Sequence, residues 1–111
     1  MSTMARSRAE NVEVGPPDGD TLAIRGALTF ATSARALTDG RRALGVGAQT
    51  RLDLAGVTHA DSAGLACVIA LVAAANRSGR RLRIAGWPAG LRALAEVCDV
   101  ATLLEPETQP A

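Results

Sequence analysis

The sequence predicts one small α/β domain in which strands alternate with helices and a sheet carries the helices. Three observations predict it. The chain has 111 residues, enough for a single core and too few for two. Apolar residues make up 48% of it, which supports a packed globule and argues against intrinsic disorder. Their spacing switches repeatedly between alternation and helical periodicity, giving the order β-β-α-β-α-β-α. Such an order implies parallel strand pairing wherever a helix makes the crossover.

The elements follow in turn. Residues 1–10 are polar and read as a flexible leader, and the domain proper is expected over 11–104. Val12 and Val14 alternate with polar neighbours, as does the stretch 21–25 that Gly26 is expected to end. Between the two lies Gly15-Pro16-Pro17-Asp18-Gly19-Asp20, whose fixed and positive φ values suit a hairpin reversal. From Phe30 to about Leu44 the spacing turns helical, with Phe30, Ala34, Leu37 and Leu44 on one side. Residues 51–55 form a short strand, and 56–61 read as a turn leading into a helix over 62–76. Ser78-Gly79-Arg80 breaks that helix, and 81–85 alternate as a further strand. Pro88 suits the entry of a last helix from Ala89 to about Cys98, with Leu91, Leu94 and Cys98 facing inward. Residues 105–111 are a polar tail containing proline.

Composition removes several chemistries. All 12 basic residues are arginine, so no lysine is present for a Schiff base or a phosphate-binding P-loop. A net charge of +1 and only Phe30 and Trp87 as large aromatics leave little to attract or stack nucleic acid. His59 is the sole histidine and Cys67 and Cys98 lie far apart, so a zinc site lacks ligands and no cofactor is expected. The two thiols read as buried and reduced. Residues 1–10 lack the apolar stretch of a secretory signal. The longest apolar run, Ala63 to Ala75, has 13 residues, short of the about 20 that span a bilayer. A soluble, cytoplasmic protein is expected.

Two features carry information about function. The first is Asp61-Ser62-Ala63-Gly64-Leu65 at a helix entry. Asp61 or Ser62 capping the helix accounts for it on local chemistry. A serine at that position is also exposed at the positive end of the helix dipole, where it can take a phosphate or meet a partner, although Asp61 would repel a phosphate. The second is the helix itself. Leu65, Val68, Ile69 and Val72 form a core stripe, yet the other side carries Ala63, Ala66, Cys67, Ala70, Leu71, Ala73 and Ala74 and no charge. A helix apolar all round is covered on both sides, which in so short a chain points to a partner; abundant alanine tolerated at a surface is the plainer alternative.

Other groupings say less. His59, Asp61 and Ser62 are too crowded on one turn to aim at one another as a catalytic triad, even with Asp53 nearby. Arg80, Arg81 and Arg83 read as a solvated strand edge before an anion site. Trp87 is either a lid on the core or a contact on a surface loop. No catalytic set emerges.

The segment Asp61-Ser62-Ala63-Gly64-Leu65, following the strand Leu52-Asp53-Leu54, resembles the signature of STAS domains, the family of sulfate transporters and anti-sigma-factor antagonists. The resemblance extends in element order from about Asp20 to Leu104. It implies a mixed four- to five-stranded sheet with helices mainly on one face, and a noncatalytic docking or switching module. Anti-sigma-factor antagonists carry Gly-Glu-Leu-Asp after the early strand, where this chain reads Gly26-Ala27-Leu28-Thr29. That stretch, with the proline-led segment Trp87 to Val97, is similar to the MlaB-type STAS subunit of the Mla phospholipid-transport ABC complex.

That branch implies a cytoplasmic subunit, peripheral to the inner membrane, on the MlaF-like ATPase of a complex with permease and substrate-binding subunits. It would insert into no membrane and bind no nucleic acid. Asp61, Ser62, Ala63, Gly64, Ala66, Cys67 and Ala70 would contact the ATPase, with Ser62 as the matched docking position. The other branch implies an anti-sigma-factor antagonist in which Ser62 is the phosphoacceptor.

Overall fold

A computed structural model describes residues 11–15 and 18–104. The expected leader, the tail and the two prolines of the first reversal lie outside them. Four strands form one mixed sheet in the order β1-β2-β3-β4: β1 (Val12–Val14), β2 (Thr21–Leu28), β3 (Arg51–Ala60) and β4 (Arg83–Ala85). β1 runs antiparallel to β2, whereas β2, β3 and β4 are mutually parallel. Each parallel step carries a helix, α1 (Ser33–Val46) between β2 and β3 and α2 (Ser62–Arg77) between β3 and β4. α3 (Ala89–Val97) and one 3-10 turn, Ala101–Leu103, complete the domain.

The sheet is amphipathic by alternation. Leu22, Ile24, Leu52, Leu54 and Ile84 are buried, while Ala23 and Asp53 between them are partly exposed and Arg25 and Ala55 next along are exposed. Opposite pairs such as Leu22 with Leu52 and Leu52 with Ile84 make the buried face continuous across three strands. Ala36 and Leu44 of α1, Leu65, Val68 and Leu71 of α2, and Leu91 and Ala95 of α3 join that same cluster. One core therefore serves all three helices.

Several boundaries differ from expectation. β2 does not end at Gly26 but continues to Leu28, and β3 does not stop at residue 55 but reaches Ala60. The glycines that read as punctuation sit at irregularities within the paired strands: the register shifts after Ala23 and again after Gly26. Gly26 has φ +94, and a Cβ there would collide with the Asn11 carbonyl oxygen. The hairpin tip closes through reciprocal bonds between Asp18 and Thr21, both 3.0 Å, with Gly19 at φ +61.

Phe30 does not join the buried side of α1. The helix begins at Ser33, and its buried residues are Ala36, Gly40 and Leu44, with Leu37 half-buried and Ala34 exposed. Gly40 is buried because α1 lies tightly on α2; a Cβ there would come within 2.8 Å of Leu71 Cδ2. That contact also re-phases α2. Leu71 and Cys67 are buried, on the side that α1 covers, and Ile69 is only half-buried. Cys98, expected to face inward, is exposed just past the end of α3, and both thiols are free.

Candidate functional site

The entry to α2 is built around one carboxylate. Asp61 stands in extended conformation between β3 and α2, and its Oδ1 accepts from the backbone N–H of Ala63 at 3.0 Å and of Gly64 at 3.1 Å. These are amides that a helix start leaves without partners. Its Oδ2 accepts from the N–H of Phe30 at 3.0 Å. The Phe30 bond, with those from Gly64 and Ala63, holds the Asp61 carboxyl below its ordinary value against an opposing effect of burial. Asp61 is thus the cap, and it also ties the β2–α1 loop to the start of α2.

Ser62 is exposed, and its hydroxyl makes no hydrogen bond among the described residues. Gly64 has a different duty. It is buried, and a Cβ there would strike the carbonyl oxygen of Leu28. Glycine at this position lets the first turn of α2 sit directly on the end of β2. Of the seven residues expected to meet a partner, Ser62 and Ala66 are exposed, and Asp61, Ala63 and Ala70 are partly so. Gly64 and Cys67 are buried, and Cys67 reaches the surface only marginally.

The loop before α1 is held as firmly. Thr32 Oγ1 donates to the Ala27 carbonyl at 2.7 Å and accepts the Thr29 N–H at 3.0 Å. The Thr29 carbonyl accepts from the N–H of Thr32 at 3.0 Å and of Ser33 at 2.8 Å. Phe30, tethered through its own N–H, is left with 85% of its surface in solvent. Beside it, between α1 and α2, runs an open apolar groove of about 410 Å³, lined by Phe30, Ala34, Leu37, Ala63, Ala66 and Ala70 with Ser33 and Cys67. No Asp, Glu or Arg lines it. Burial pushes the Cys67 thiol up to about 11, with the positive charge of Arg41 acting in the opposite sense.

Sequence reasoning missed the α1 half of this groove. The spacing puts Phe30, Ala34 and Leu37 on the inward side of a helix and Ser33 on its other side, because an aromatic next to a helical pattern reads as core. The threonines on either side of Phe30-Ala31 were the available signal, since such residues tie loops through their hydroxyls.

The remaining groupings are structural. His59 is exposed, Asp53 Oδ1 accepts the Ala55 N–H of its own strand at 2.9 Å, and Asp61 is committed to backbone amides, so these side chains form no relay among the described residues. No cluster of three His, Cys, Asp or Glu capable of holding a metal occurs among them either. Arg80 is a fastener: it donates to the Gln49 carbonyl and Oε1, both at 3.2 Å, and to the Leu44 carbonyl at the end of α1. Trp87 is half-buried against the core edge and lines a small recess with Arg92, Glu96 and Leu104. None of the helices among the described residues is long and apolar enough to cross a membrane.

Comparison with known proteins places this geometry. Residues 13–105 match a family model described as "Mlab, STAS domain". Among solved structures, a putative anti-sigma factor antagonist from Thermotoga maritima superposes with a TM-score of 0.70 at 12% identity, covering 93% of this chain and 91% of that one. The anti-sigma factor antagonist SpoIIAA in its unphosphorylated form gives 0.66 at 16% identity, covering 89% and 90%. The murine solute carrier 26 family member A9 anion transporter gives 0.58 at 13% identity, covering 96% of this chain but 22% of that one. No curated protein sequence matches this chain significantly. At these identities the structural likeness establishes the fold.

Proposed function

The chain belongs to the STAS-domain family, and from that premise we propose that it is a noncatalytic docking subunit for the ATPase of an ABC transporter that moves phospholipid between the inner and outer membranes. The observation that carries this reading is the uncharged groove between α1 and α2, with Ser62 exposed at its end. Apolar surface of this kind gains free energy when a protein partner covers it. The family description, which names the Mlab type, supports the same branch. The subunit would stay in the cytoplasm, reach the membrane only through its partner, and hold the ATPase in a competent assembly without binding nucleotide or lipid.

Co-purification tests it. The full chain should recover an MlaF-like ABC ATPase, and Ala66→Arg or Ala70→Arg should abolish recovery while the isolated chain stays folded. Recovery of no ATPase by the wild type overturns the reading.

A second reading, an anti-sigma-factor antagonist switched by phosphorylation of Ser62, draws on the free, exposed hydroxyl at a helix N-terminus and on the fold shared with SpoIIAA. Against it, Asp61 already occupies the nearest free amides and would repel a phosphate. A cognate kinase that labels the wild type and leaves Ser62→Ala unlabelled would establish it.

A further inference from the structure

We infer that the groove seats an amphipathic helix of the partner protein, anchored on Phe30 and carrying a carboxylate that meets Arg41. This rests on the docking reading above and adds the chemistry of what docks.

Phe30 has the properties of an anchor. Its side chain is 85% exposed, yet its backbone is fixed through Asp61 and the Thr29–Thr32 bonds. A large aromatic on a rigid loop loses little freedom when buried, and such residues dominate interface energetics. The groove beside it has the form of a helix seat. α1 and α2 each follow one of two parallel strands and therefore run side by side, and Ala34, Ala63, Ala66 and Ala70 keep the space between them shallow. Small side chains let a third helix approach to the usual 8–10 Å between axes. Ala63 to Ala70 spans about 10 Å, two turns of such a helix.

Charge selects the occupant. The exposed side of α1 carries Arg35, Arg41 and Arg42. Arg42 lies 3.7 Å from Asp39, and Arg35 donates to the Val12 carbonyl. Arg41 makes no ion pair or hydrogen bond among the described residues, and it stands one helical turn beyond Leu37, on the face of α1 that lines the groove. Two copies of this chain docked face to face would bring these arginines together with too little negative charge to offset them. A different protein with an acidic residue flanking its apolar side chains satisfies both the groove and Arg41.

The test is the affinity of the full chain for an MlaF-like ABC ATPase, titrated at low and high salt. Phe30→Ala should weaken binding at least about tenfold, in the range of an interface anchor. Arg41→Glu should weaken it about tenfold and flatten the salt dependence, while Arg42→Glu stays within about twofold. Equal melting temperatures exclude unfolding as the cause, since all three side chains are exposed. If the ATPase binds but Phe30→Ala and Arg41→Glu behave like Arg42→Glu, the docking reading stands and this inference is overturned. If the ATPase does not bind the wild type, that reading falls, and the same variants titrated against the anti-sigma-factor kinase decide the inference by the same criteria. Binding to neither protein, or a homodimer that Phe30→Ala dissolves, also overturns it.

Discussion

The backbone N–H of Phe30 donates to Oδ2 of Asp61 at 3.0 Å, across 31 positions of sequence. Through it, the carboxylate that starts α2 also sets the loop that starts α1, so the mouth of the groove is a unit. Asp61→Ala removes the acceptor for three N–H groups at once. It should cost about 1–2 kcal/mol, the range of a lost helix cap, measured by urea denaturation. Asp61→Asn should cost less, because its single amide oxygen can still serve part of the set.

Acid should have a defined effect through the same residue. The folded protein holds the Asp61 carboxyl below its ordinary value of 3.8, chiefly through the Phe30 bond. A depressed carboxylate stabilises the fold fully above its unfolded value, and the contribution fades as pH falls through the folded one. The midpoint of denaturation should therefore drop on acidification below about pH 4, and drop less in Asp61→Asn. An identical acid response in both proteins would remove Asp61 from the account.

The two thiols should behave differently. Cys98 is exposed, whereas Cys67 has 3% of its surface accessible and its thiol is pushed up to about 11. A thiol-disulfide reagent at neutral pH should label one cysteine per native chain rapidly, and none in Cys98→Ser. Denaturant should expose the second.

The order of elements was legible because each has its own period: Leu22 and Ile24 alternate, while Leu65, Val68 and Val72 recur on a helix face. The strand ends were not. Gly26 and Gly56 look like stops, but each accommodates a neighbour: the Asn11 carbonyl at Gly26 and the Arg25 side chain at Gly56. The capping segment 61–65 was readable, since Asp before a helix has one dominant local use. The phase of α2 was not, because Leu71 is buried against Gly40 of α1, a contact that no periodicity within α2 encodes. Phe30 was misplaced for the same kind of reason: its exposure is imposed by hydrogen bonds to Asp61 and within the Thr29–Thr32 loop.

Arg80 should matter to the fold more than a surface arginine does. It satisfies the Leu44 carbonyl at the end of α1 and the carbonyl and Oε1 of the buried Gln49. Arg80→Ala leaves those acceptors without their donor and should cost about 1–3 kcal/mol by denaturant midpoint. Arg80→Lys should recover only part of this, since an ammonium cannot fork between carbonyls as a guanidinium does.

The last prediction separates the two faces of α2. A helix without charge from Ser62 to Asn76 suggests in a short chain that foreign protein must cover half of it, yet the domain itself buries seven of its 16 residues, with the sheet beneath and α1 alongside. What remains open is the strip through Ser62 and Ala66, with Ala63, Ala70, Ala73 and Ala74 partly exposed. Ala66→Arg places a charge on that strip and should leave the melting temperature within a few degrees of wild type, because surface substitutions move stability by about 0.5 kcal/mol or less. Val68→Arg, two residues on and fully buried, puts an unpaired charge into the core and should prevent folding. Loss of ATPase binding in a folded Ala66→Arg then reports on the open strip alone. Were Ala66→Arg to unfold as Val68→Arg does, the strip would be part of the core and the groove would not be a surface at all.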